Sequence, residues 1–211
     1  MGKEDSLIMV VKKEDLFGIS NKDFFEGFRY YDKIDYQKRI LRNYGFMTRK
    51  FAEKDSSYKQ PICYCLIYNS ELKKFFSYQR AKKDKNYTEK RLQGKFSIGI
   101  GGHIEMNDAK KNPIHESMLR EINEEVKIKD RINPKLFGYI YLDDYGVNEV
   151  HFGLVHMIDT NSKKIKAKDP EITNAKLRSV NELEEICLSR EYEVEEWSKT
   201  LINVLNLYFK N

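Results

Sequence analysis

Residues Asn112 to Val126 constrain this chain more than any other stretch. Ile114, Met118, Ile122 and Val126 recur every four residues with Leu119 beside them, the pattern of a helix with one buried face. Asn112 is placed to cap that helix and Pro113 suits its first turn. On the flank of the stripe stand Glu121, Glu124 and Glu125, within an arc of roughly 100° at helical spacing. Glu121 and Glu125 form an i,i+4 like-charge pair, which weakens a helix. They also sit at its C-terminal end, where the helix dipole disfavours negative charge. A solvated acidic face is the ordinary outcome of such a run. A hard divalent cation held by the carboxylates would instead turn both penalties into attraction.

Upstream lies Gly101-Gly102-His103-Ile104-Glu105, and the helix carries Arg120-Glu121-Ile122-Asn123-Glu124-Glu125-Val126. Together these resemble the Nudix hydrolase signature: Gly, five residues, Glu, seven residues, then Arg-Glu-apolar-x-Glu-Glu-x-Gly-apolar. The second half matches up to its last glycine, where Lys127 stands. Five residues beyond Gly102 lies Asp108 in place of the family's glutamate. Residues 109–119, eleven in number, then separate Asp108 from Arg120, so the loop carries four extra residues within Ala109 to Pro113.

The resemblance implies an α/β chain, a Nudix-type α/β/α sandwich with a mixed β-sheet. It implies a metal-dependent pyrophosphohydrolase that cleaves a nucleoside diphosphate linked to another moiety, a small-molecule substrate. Glu121 and Glu125 are the expected primary ligands of Mg²⁺ or Mn²⁺. Glu124 shares that role directly or through water, and the main-chain carbonyl of Gly102 is the non-carboxylate ligand. Arg120 completes the catalytic set by orienting a carboxylate, with Asp108 or Glu105 as its partner. The general base stays open among Glu105, Glu149, Glu171 and Glu193. His103, His151 and His156 are read as structural histidines. Two alternatives stand beside the hydrolase: a non-catalytic regulatory module that binds a nucleotide, and RNA decapping.

Charge bears on those alternatives. The formal net charge is +5, and much of the local density falls in one loop with Arg80, Lys82, Lys83, Lys85, Lys90, Arg91 and Lys95. That loop would concentrate a polyphosphate or touch an RNA backbone. Arg80, Arg91 and Lys95, with Glu105, are therefore candidate substrate contacts. No aromatic RNA-binding strand accompanies them. No apolar run approaches the ~18 residues that a membrane helix needs. The short run Leu7 to Val11 is no signal peptide, and the three cysteines, Cys63, Cys65 and Cys187, suggest no disulfide framework. The expected compartment is the cytoplasm.

Residues 1–60 read as an extension and 61–211 as the Nudix domain. In the extension we expect a strand over Ser6 to Val11, a short helix over Lys22 to Phe28, another over Tyr36 to Tyr44, and a polar connector from Phe46 to Gln60. Its aromatic residues would pack on the catalytic domain or against a second subunit of a homodimer. In the domain, strands are expected at Ile62 to Tyr68, Lys74 to Gln79 and Phe96 to Ile100. A hairpin follows, with Phe137 to Leu142 and Val150 to Ile158 around Asp143-Asp144-Tyr145-Gly146. A last amphipathic helix carries Val194, Trp197, Leu201, Val204, Leu205 and Tyr208.

Overall fold

The computed structural model describes residues 3–81, 92–143 and 147–210. In chain order these form β1 (Leu7–Lys12), α1 (Lys13–Phe17), β2 (Gly27–Tyr30), α2 (Tyr36–Asn43), β3 (Gly45–Thr48), α3 (Arg49–Ala52), β4 (Tyr58–Asn69) and β5 (Lys74–Arg80). There follow β6 (Phe96–Ser97), β7 (Gly99–Ile100), α4 (Pro113–Glu125), β8 (Val126–Lys127), β9 (Asn133–Tyr141) and α5 (Val147–Val150). The chain continues through β10 (His151–Asp159), β11 (Lys166–Ala167), β12 (Ile172–Arg178), α6 (Val180–Leu188) and α7 (Glu196–Lys210). The mixed α/β class expected from the sequence is the class observed. Two compact units divide these residues, and their boundary falls inside β4, α4, β9 and β10.

The first unit takes residues 1–64, 101–120 and 136–156. The segment 1–64 therefore shares one unit with later parts of the chain. β1 pairs antiparallel with β3 and, at its end, with the start of β4, setting Val11 opposite Lys59. β2 pairs antiparallel with β9, Gly27 opposite Tyr141. The strand order in this unit is β4-β10-β9-β2. Its core is aromatic: Phe17, Phe25, Tyr36, Tyr139, Tyr141 and Phe152 are buried, and the Phe17 ring meets five of its neighbours' rings edge-on or tilted. Such contacts add to the burial of large apolar area.

Two expectations fail in this unit. Lys22 to Phe28 is not a helix, because Gly27 adopts φ +85 and opens strand β2 instead. Phe46 to Gln60 is not a plain connector. Phe46 and Met47 pair across to Met9 and Ile8 in β3, and the polar Lys59 and Gln60 are fully buried in β4. Asp35 caps α2 by accepting from Lys38 N at 2.8 Å, so the expected helix there begins at Tyr36.

The second unit takes residues 65–100, 121–135 and 157–211. Its strands run β12-β5-β4, with β6 on β5 and β7 on β4. Tyr68 faces Phe75 across β4 and β5, and the Phe209 ring closes on both. Strand β12 and helix α6 were not expected. The helix is nevertheless signalled, since Ser179 accepts from Glu182 N and the Glu182 carboxylate accepts from Ser179 N, a capping box. In α7 the buried face is Leu201, Ile202 and Leu205, while Tyr208 stays exposed. No described helix is long and apolar enough to cross a membrane.

Candidate active site

The glycine turn is fixed by backbone approach. Gly101 has φ +148, and a Cβ there would lie 1.7 Å from the Cys63 carbonyl oxygen, so no other residue fits. Gly102 follows, and its carbonyl accepts from Cys63 N at 3.2 Å. A carbonyl oxygen has a second lone pair, so this bond leaves the Gly102 oxygen able to ligate. Ile62 bridges to His103 and Ile8 to Glu105, which pins the turn between β4 and β1.

The loop after it resolves which acid braces the helix. A 3-10 turn over Met106–Asp108 buries Asp108, whose carboxylate takes Arg120 side-on: Nε to Oδ1 at 3.0 Å and Nη2 to Oδ2 at 2.9 Å. Asp108 also accepts from Glu105 N at 2.9 Å, and Arg120 Nη2 donates to the His103 carbonyl at 2.9 Å. Paired N–H···O bonds between planar groups fix orientation as well as energy. Asp108, not Glu105, is thus the arginine's partner. The extra residues Ala109, Lys110 and Lys111 lie exposed, and Asn112 caps α4 through His115 N at 3.2 Å.

Helix α4 begins at Pro113 and buries Ile114, Met118 and Ile122, as its periodicity requires. Glu121 and Glu125 are half-buried and Glu124 is exposed. Among the described residues no group of three or more His, Cys, Asp and Glu side chains is arranged to hold a metal ion. Glu121, Glu124 and Glu125 are carried within about one turn at the end of a single helix. At that spacing the carboxylates repel one another unless a cation lies between them. The donor set still suits one: oxygen-only, flexible and open to water, as Mg²⁺ and Mn²⁺ prefer.

The helix exit differs from the turn that the signature's last glycine would make. Lys127 is not among the residues with positive φ. The chain passes straight into β8, with Val126 opposite Ala167 and Lys127 opposite Lys166. The last carbonyl of α4, that of Glu125, accepts from Lys168 N at 2.8 Å and Asp169 N at 3.3 Å, and the Lys168 ammonium bonds the Asn123 carbonyl. A cation and two N–H groups at the negative end of the dipole do the work of a C-cap.

The other candidates are spread out. Arg80 pairs with the buried Glu195, which also accepts from Ser97 Oγ at 2.8 Å, and Lys95 pairs with Glu193 at 2.8 Å. Both ends of the basic loop are therefore engaged with carboxylates. Arg91, with Lys82, Lys83, Lys85 and Lys90, lies outside the described residues, as do Asp144, Tyr145 and Gly146 of the expected hairpin turn. Glu149 offers its carbonyl to the buried Lys59 ammonium at 2.7 Å, and Glu171 N donates to Asp169 at 2.7 Å. Burial lowers the Lys59 pKa to about 8. Burial drives His103 well below the usual imidazole range, helped by the neighbouring His151, and drives His156 down to about 4. Gln60, which joins His103 and His151, carries no signal in the sequence, standing at the end of the stretch expected to be a polar connector.

No family model matches the chain. Protein YmaB of Bacillus subtilis (strain 168) is 27% identical over 212 residues, 97% of this chain and 100% of that protein. The crystal structure of Tm1382, a candidate Nudix hydrolase, superposes with a TM-score of 0.76 at 27% identity, over 95% of this chain and 99% of that one. The NUDIX domain of Shewanella oneidensis NrtR, crystallised with ADP ribose, superposes with a TM-score of 0.53 at 8% identity, over 72% of this chain and 88% of that one. The fold of this chain is that of the Nudix hydrolase superfamily.

Proposed function

We propose that the protein is a Mg²⁺- or Mn²⁺-dependent pyrophosphohydrolase acting on a nucleoside diphosphate linked to another moiety. The observation that carries this reading is the last turn of α4, where Glu121, Glu124 and Glu125 follow directly on the braced Arg120. A structural helix gains nothing from three carboxylates at its negative end. Glu121 and Glu125 would hold the ion, with Glu124 bound directly or through water. When bound, the ion neutralises phosphate oxygens and acidifies a water molecule.

The chain's own residues supply position. The Asp108–Arg120 pair fixes the helix about its axis, and the Lys168 and Asp169 N–H groups fix its end. In the reaction, water adds to one phosphorus and the bridging P–O bond breaks. Its electron pair leaves on the departing phosphate, and the water's proton passes to a base or to solvent. Phosphate release from a panel of nucleoside diphosphate derivatives, in Mg²⁺ and in Mn²⁺, tests the proposal. Glu121→Gln with Glu125→Gln should abolish release while the circular dichroism spectrum is kept; release unchanged in that variant would refute the assignment.

A nucleotide-binding module that does not hydrolyse is the second reading. Tight nucleotide binding with no phosphate release on the full panel would select it. Arg80 and Lys95, two of the basic residues on which RNA decapping would draw, are ion-paired with Glu195 and Glu193.

A further inference from the structure

In the first unit, three polar side chains meet on one face of neighbouring strands. The antiparallel bridge between Ile62 and His103 sets His103 on the same face of β4 as Ile62 and, two residues back, Gln60. The β10 residue His151 completes the group, since β10 neighbours β4. Gln60 Oε1 lies 2.7 Å from His103 Nε2 and 3.1 Å from His151 Nε2, and the two nitrogens are 3.2 Å apart. The rings stand edge to face with centroids 5.0 Å apart.

Hydrogen bonding accounts for part of this arrangement. Gln60 Oε1 lies within hydrogen-bond reach of both imidazoles, yet the fully buried Gln60 Nε2 has no partner among the described residues. A buried donor left unmade costs about 1–3 kcal/mol. The donor triangle has another property. Two ligands ~2.1 Å from one tetrahedral ion stand roughly 3.4 Å apart, and octahedral neighbours roughly 3 Å. All three edges here fall near that range. Imidazole nitrogen is a preferred donor for zinc and its first-row neighbours, and a water carried in on the ion would offer the Gln60 amide an acceptor. Two cations lie nearby, but each is neutralised: Arg49 by Glu53 at 2.7 Å and Arg120 by Asp108.

We infer that His103, His151 and Gln60 form a transition-metal site of the zinc or cobalt type, built from donors other than the carboxylates of α4. The site uses neutral nitrogen donors and one amide oxygen, so it selects against Mg²⁺, the reverse of the preference of the glutamates.

Titrating the full chain with Co²⁺ and following its visible absorption tests this. A saturable band at one equivalent, displaced by Zn²⁺, is expected in the wild type and in the Glu121→Gln, Glu125→Gln variant. His151→Phe keeps an aromatic ring against His103 and should weaken Co²⁺ binding at least tenfold; Gln60→Leu should weaken it less. A band lost with the glutamates but kept in His151→Phe would overturn the inference, because the metal would then sit on α4. If His151→Phe fails to fold, proton NMR of the Co²⁺-loaded wild type decides. Strongly shifted exchangeable signals from two imidazoles support the site, and their absence refutes it. Failure here leaves the hydrolase proposal standing, since phosphate release in Mg²⁺ reads the other residues.

Discussion

Asp108 and Arg120 meet side-on, with two N–H···O bonds of 3.0 and 2.9 Å across the loop that lengthens the motif. The carboxylate is almost fully buried, at 4% exposure, so the arginine cannot be replaced by water as its partner. Removing the charge from one side of such a pair leaves the other uncompensated. Asp108→Asn should therefore lower stability by about 2 kcal/mol. Chemical denaturation against the wild type measures it, with the exposed Lys110→Ala as a control expected to change little.

Asn112 accepts from His115 N at the start of α4. Asn112→Ala should cost about 1 kcal/mol. Asn112→Asp should stay within about 0.5 kcal/mol of wild type, because an anion suits the positive end of the helix dipole. Equal losses in both variants would mean that the cap is not the source of the effect.

Restoring the family's glycine should hurt. Lys127 is extended and paired with Lys166 in a two-stranded ribbon, with no need of a left-handed residue. Lys127→Gly then only adds unfolded-state freedom, and thermal unfolding should show a loss of about 1 kcal/mol. A gain would mean that the helix ends in the family's usual way.

His156 is buried, and its pKa falls from 6.5 to about 4. Its folded form binds a proton less readily than its unfolded form. Above pH 6.5 neither form is protonated and the residue favours neither state. As pH falls from 6.5 towards 4, the unfolded chain takes up the proton first and stability drops. The loss from this residue approaches about 3 kcal/mol by the lower end. A His156→Gln variant should show a shallower decline in unfolding free energy over the same pH range; a parallel decline would show that other groups govern it.

Glu124→Gln with Glu125→Gln separates enzyme from binder. In a hydrolase, turnover should fall at least about 100-fold while the fold persists, because the lost groups act mainly in the transition state. In a pure nucleotide binder, affinity should hold or rise once two like charges leave the phosphates' surroundings. Turnover and nucleotide affinity measured on the same variant give the answer.

Local signals were readable where one residue's chemistry decides local shape. The α4 stripe, the Asn112 cap, the Pro113 start and the glycine turn at Gly101 all follow from the sequence and reappear in space. What escaped reading depends on partners far along the chain. Nothing near Lys127 announces Lys166 as its neighbour, and nothing near Gln60 announces His151. Asp108 and Glu105 were equivalent on paper, and only burial of the 3-10 turn chose between them. Strand β12, with its polar Thr173, Asn174 and Lys176, lacks the apolar alternation that marks a strand; its pairing with β5 makes it one.

The ribbon that replaces the terminal glycine also changes when the acidic turn can form. A glycine cap is made by residues beside the helix and closes as soon as the helix does. Here the end of α4 waits for residues 166–169 to arrive from about forty positions downstream. Contacts of such sequence separation form slowly, because the loop between them must close first. The final turn, with Glu124 and Glu125, therefore becomes rigid late, after the apolar stripe has already docked. In pulse-labelling hydrogen exchange its amides should be protected after those of Met118 to Ile122.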